Sequence, residues 1–162
     1  MRSVCLSFVR FCLAAWVGIA IFFVALVIEL RQSNLFPEPI KFNHPRVLFP
    51  LYYGFEFGLL GTALVAAAVC AWSGTAGAAR RRALLGLILV AILLAVCDYG
   101  LVYGALVDMM SAAPPDMQHP PVLPPKFHEL HKISRWLNGC ILILTAAGAL
   151  LSLRADRPDG RP

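Results

Sequence analysis

Charge is what this sequence has least of. Asp, Glu, Lys and Arg make up 14% of its 162 residues, where about 25% is ordinary for a soluble domain. Hydrophobic residues reach 59%, against a usual ~45–50%, and the mean hydropathy is +0.73. So few polar groups cannot cover a water-soluble globule, and part of the surface must meet lipid. A cytosolic enzyme, a secreted disulfide scaffold and a disordered tail are excluded on that ground. Reaction motifs are missing as well: there is no G-x-S-x-G, no H-E-x-x-H and no Gly-rich phosphate loop. His128-Glu129-Leu130-His131 comes near a zincin motif, but its histidines are three apart rather than four. No enzyme is expected. The cysteines (Cys5, Cys12, Cys70, Cys97, Cys140) form no C-x-x-C pair, and none falls in a loop expected outside the cell, so no disulfide framework follows. They read as small polarizable residues packed within helices. The formal charge of +5 would suggest nucleic acid in a soluble protein. Here the basic residues gather at the ends of hydrophobic runs, as membrane spans require, and no nucleic-acid partner is expected.

A bilayer core of ~30 Å needs about 20 apolar helical residues. Four runs reach that length, at 11–28, 47–72, 83–107 and 133–153, each bounded by charge or turn residues. Helices suit them because lipid leaves no backbone polar group a partner outside its own segment. The expected fold is an all-α, integral-membrane four-helix bundle in a single domain over 1–162. The first run is longer than the 7–15 residues of a signal-peptide core and reads as an uncleaved span. With four spans, the N-terminus, the middle loop and the C-terminus share one side. That side holds eight basic residues, including the run Arg80, Arg81, Arg82, and the other side holds six. Both termini are therefore expected in the cytoplasm. A bacterial inner (plasma) membrane is the expected location, with the lipid bilayer as first partner.

The two exported loops, about 29–46 and 108–132, carry nine prolines, and such density argues against long helices there. All four histidines (His44, His119, His128, His131) lie in them or at the membrane edge, with Met109, Met110 and Met117. Thioether and imidazole together suit copper, particularly Cu(I), which makes Met117, His119 and His128 a candidate metal set. The plainer reading is methionines at a helix end and interfacial histidines, for no H-x-H or M-x-x-M array supports a site. Two histidines could also ligate haem iron, although no C-x-x-C-H is present. No resident cofactor is expected.

Within the spans, Gly54/Gly58 and Gly100/Gly104 make two GxxxG steps. Packing of the bundle is the plain reading and self-association the other. Phe49, Tyr52, Tyr53 and Tyr103 fit an interfacial aromatic belt. Glu56 and Asp98 are carboxylates deep inside spans, where each costs ~2.5–3.5 kcal/mol by insertion scales. Each is nine residues from the exported end of its span, or about 13 Å at 1.5 Å per residue. Asn138 lies at a similar depth in the fourth span. Three polar groups on three helices at one level suggest convergence, since lipid penalises each alone. Two adjacent acids do not both ionise readily, so the cluster either shares a proton or holds a cation. His131 and Ser134 lie above Asn138 on much the same helix face and offer a route from outside. The structural alternative is hydrogen bonding that glues the helices together.

The fourth span also carries a family likeness. Phe127, His131, Ser134 and Asn138 match F-x-x-x-H-x-x-S-x-x-x-N, a pattern that resembles the transmembrane-protein-205-like family, a membrane domain of unknown function. Trp16-Val17-Gly18 with Phe22-Phe23 is similar to that family's opening helix, and Leu48-Phe49-Pro50-Leu51-Tyr52-Tyr53 to the start of its second. Two departures stand out. Where relatives show Asn and, six residues on, Pro in the third helix, this chain has Asp98 and Gly104, so an expected kink is lost. The first exported loop is enlarged by 36–46. The likeness implies a four-helix membrane protein without an established reaction. One member's association with platinum-drug resistance, and a distant similarity to copper-resistance membrane domains, point towards metal handling by analogy. Two functions compete. One is a small membrane protein that binds or permeates a proton, cation or metal through Glu56, Asp98, Asn138, His131 and Ser134. The other is a non-catalytic accessory subunit of a larger membrane complex.

Overall fold

The structure, a computed structural model, describes residues 2–72, 77–112 and 123–155. They form four helices long and apolar enough to cross a membrane, and no strand occurs among the described residues. The first helix is Arg2–Gln32 and the second Glu38–Trp72. The third, Ala78–Ala112, is continuous but passes through a π-helical segment at Asp98–Tyr103. The fourth is Pro125–Ala155. The first helix packs on the second and fourth, and the third packs on the same two, which sets the first and third across the bundle from each other. Between 22 and 28% of each span's most apolar window is buried. The remaining surface presents side chains such as Phe22, Leu101, Trp136 and Ile143 outward, a surface that only lipid can cover at no cost.

All four helices outrun the apolar runs that announce them. The second begins at Glu38, nine residues before Val47, so the loop expected at 29–46 shrinks mainly to 33–37. Its prolines do not stop the helix. A proline at position i costs the helix the bond to the carbonyl at i−4, and for Pro45 that carbonyl is Lys41's. His44 Nδ1 takes it instead at 2.5 Å, and because a carbonyl can only accept, Nδ1 carries the hydrogen. Pro125 opens the fourth helix in the first turn, where its missing N–H is no loss. Gly77, before the third helix, has φ 71°, in the left-handed region that favours glycine.

The packing residues are not the GxxxG glycines. Ala63 and Ala67 on the second helix and Ala91 and Ala95 on the third are almost completely buried and allow the close approach. Gly54, Gly58, Gly100 and Gly104 lie on the outside, and a Cβ added at any of them would meet no atom within 4 Å. The expectation that these steps pack the bundle is corrected: the contact between the two helices is made by larger residues one place earlier, Tyr53, Phe57, Tyr99 and Tyr103, whose rings meet across it. Gly148 does pack, since a Cβ there would stand 3.2 Å from Leu13 Cδ1 and 3.5 Å from Leu84 Cδ1. Leu6, Leu13, Trp16, Leu60, Ile88 and Ile141 fill the interior. Arg10 joins the first helix to the fourth by donating from Nη2 to the Ser152 carbonyl at 2.9 Å.

Candidate functional site: a buried carboxylate pair below an open cavity

The π-helical segment keeps the residues after Asp98 on the same buried stripe. Buried positions on the third helix run Arg81, Leu84, Ile88, Ala91, Ala95 and Asp98, alternating steps of three and four as an α-helix requires. From Asp98 they run Val102, Leu106, Met110, in steps of four only. In an α-helix each such step turns the buried stripe by about 40°. The wider turns of Asp98–Tyr103 absorb that drift and keep Asp98 and the residues after it facing inward. No proline is present at Gly104, yet the ladder is broken at this level by π turns, which often mark functional sites.

Asp98 is fully buried. Its Oδ2 accepts from Tyr53 Oη–H at 2.8 Å, Ser134 Oγ–H at 3.2 Å and Asn138 Nδ2–H at 2.5 Å. The second and fourth helices thus meet at this atom. Asn138 is oriented by two further bonds, accepting from Tyr52 Oη–H at 2.8 Å and donating to the Ser134 carbonyl at 3.0 Å. Asp98 Oδ1 has no hydrogen-bond partner among the described residues. Glu56 is also fully buried, and neither of its oxygens has a partner among the described residues. It follows Tyr53 by three residues, one turn further along the same face of the second helix. The two acids are close enough for their charges to interact.

Above Asp98 a cavity of about 110 Å³ opens towards the end of the bundle that holds residues 33–37 and 123–124. Tyr53 and Ser134 form its floor, and His131 and Tyr103 line it higher up. Phe42, Phe49, Leu106, Met110 and Phe127 supply apolar walls, and Arg31, Lys41 and His44 stand among them. A water needs roughly 10–15 Å³ of such space, so the cavity admits several. The His131 ring stacks on Phe127, with centroids 6.1 Å apart and planes 9° apart.

Of the residues singled out from the sequence, Asp98, Ser134 and Asn138 are in direct contact, and His131 lines the cavity that ends at them. Glu56 faces inward without a hydrogen bond to the cluster. His128 is exposed on the fourth helix, while Met117 and His119 lie outside the described residues. Among the described residues no three His, Cys, Asp or Glu side chains gather as a metal-ion group. Tyr52 and Tyr53 correct the expected belt. They are 7 and 2% exposed, their rings pack on Trp16, Phe23 and Tyr103, and their hydroxyls belong to the cluster. The belt reading placed them at a helix start that in fact lies well upstream. A signal for their burial was present: Tyr52, Glu56, Leu60, Ala63, Ala67 and Cys70 recur at steps of three and four and share one buried stripe. No family model, curated protein or solved structure matches the chain.

Proposed function

We propose that this protein binds or passes an ion, whether a proton, another cation or a metal, at Asp98 and Glu56, and that the cavity above them is the way in. One observation carries the reading: two fully buried carboxyl groups retain three oxygens without a hydrogen-bond partner among the described residues, and Tyr53 and Ser134, which bond Asp98, line a water-sized cavity. Hydrogen-bonded glue would use those oxygens, because an unsatisfied buried acceptor costs about 1–3 kcal/mol. Intramembrane acids that face a cavity mark ion pathways as a rule. By the arginine asymmetry the cavity opens on the exported side and both termini are cytoplasmic. Of the residues that carry the likeness to the transmembrane-protein-205-like family, Phe127, His131, Ser134 and Asn138 belong to this same region.

The test is ion flux from liposomes carrying the purified protein, with pH- and metal-sensitive dyes inside. The parent should move at least one ion, and Asp98→Asn should be inert while remaining folded and monodisperse. A parent that moves none, together with an Asp98→Asn variant that only unfolds more easily, would return the cluster to a structural role. A second reading, an accessory subunit in a larger complex, draws on the outward Gly54, Gly58, Gly100 and Gly104. Close helix approach needs such small residues. Co-purification of a partner that Gly54→Leu and Gly58→Leu together abolish would favour it.

A further inference from the structure

The ion itself is narrowed by what surrounds Asp98, and this step rests on the reading just proposed. We infer that the site takes a proton and turns metal cations away. A metal cation needs lone pairs: Ca²⁺ takes about six to eight oxygens and Mg²⁺ about six. Around Asp98 Oδ2 the neighbours present hydrogens instead, from Tyr53, Ser134 and Asn138. The acceptor atom of that amide, Asn138 Oδ1, already receives the Tyr52 hydroxyl. Asp98 Oδ1 and the two Glu56 oxygens remain, three atoms where a coordination shell needs about six. Softer metals fare no better, because no three-ligand group of His, Cys, Asp or Glu occurs among the described residues. A proton needs one lone pair.

The approach agrees with the site. Arg31, Lys41, His44 and His131 line the cavity, and no carboxylate among the described residues does. Arg31 lies within electrostatic range of both imidazoles, as do Arg135 and His128 of His131. A hydrated metal ion entering this space meets positive charge on its walls, in an environment where water screens less than in bulk. A proton need not enter as a free ion. An imidazole takes one on one ring nitrogen and releases another from the second, and His131 is one helical turn above Ser134 on the cavity wall. The two acids differ in their surroundings: three donors converge on Asp98 Oδ2, and none reaches Glu56. The incoming proton adds to Asp98 Oδ1 and neutralises that carboxylate, while Glu56 keeps its own.

Infrared difference spectra of the full-length protein in lipid test this. In the parent, acidification should convert one carboxylate band into a carboxylic-acid band. A second acid band should be present throughout. Asp98→Glu should shift the first and Glu56→Asp the second. Sodium, magnesium, zinc and cuprous salts at millimolar concentration should leave both unchanged. If a metal salt perturbs the carboxylate band at constant pH, and Asp98→Glu shifts that response, the site takes a metal. The inference is then overturned while the ion-handling reading stands. If neither acid nor any metal changes a band in the parent, both fall together. The parent spectra decide between these outcomes even where a variant does not fold.

Discussion

Glu56 and Asp98 are equally buried, but one has no donor and the other has three. That contrast separates function from structure in a single measurement. A buried acceptor without a partner costs about 1–3 kcal/mol, and an apolar residue of similar size in its place removes that cost. Glu56→Leu should therefore stabilise the protein by on the order of 1 kcal/mol, seen as a higher melting temperature in detergent, while the infrared acid band disappears. A destabilised Glu56→Leu would mean that Glu56 makes a bond essential to packing. Tyr53→Phe removes one of three donors from Asp98, and interhelical bonds of this kind average about 0.6 kcal/mol in membrane bundles. A small loss of stability is expected, with the Asp98 infrared band shifting because one of the bonds to its Oδ2 is gone.

The second helix shows how one element survives a residue that should end it. Pro45 leaves the Lys41 carbonyl without its usual N–H, and His44 Nδ1 supplies the substitute. His44→Ala should cost about 1 kcal/mol and speed amide exchange over residues 38–45. Adding Pro45→Ala should restore protection, since an alanine at that position would bring back the missing N–H. If the double variant exchanges as fast as the single one, the bond has no such role. The third helix poses the opposite case, in which nothing in residues 98–103 announces π turns. Gly100 and Gly104 were read as packing positions, yet the wider turns are needed only because Asp98, Val102, Leu106 and Met110 must all face partners on other helices. Deleting Leu101, whose side chain is 73% exposed, removes the extra residue that the wide turns accommodate. The helix should persist by circular dichroism, and Asp98 should lose its infrared signature as the turns around it tighten.

At the scale of the whole molecule, two seams of different chemistry hold one bundle. Small buried alanines bring the second and third helices together at one level, and aromatic rings join them at another. Because these helices run antiparallel, one residue beyond each ring turns Gly54, Gly58, Gly100 and Gly104 to the same outer side. Gly148 is the contrasting case: Gly148→Val would push into Leu13 and Leu84 and should cost about 1–3 kcal/mol, whereas Gly54→Val should leave the isolated protein's melting temperature nearly unchanged. Topology is tested with single cysteines. Those placed at Ser33 and Gln118 should react with an impermeant thiol reagent in intact cells, and labelling at Thr75 instead would reverse the orientation.

Composition and run length alone determined that the chain is helical and built to meet lipid, with four spans in order. The reason is that the bilayer punishes every unpaired backbone group and rewards about 20 apolar residues in a row. The same penalty made Glu56, Asp98 and Asn138 conspicuous before any coordinates, because a polar residue in such a run needs a reason. Contact between Asp98, Ser134 and Asn138, the two tyrosine donors, the π turns and the cavity above them belong to the tertiary structure. Each depends on how the helices are rotated against one another, and a run of apolar residues says little about rotation when its lipid face and its protein face are both hydrophobic. For the same reason the GxxxG steps looked like packing sites and lie outside. Only the neighbouring helices decide which side of a uniformly apolar helix is the inside.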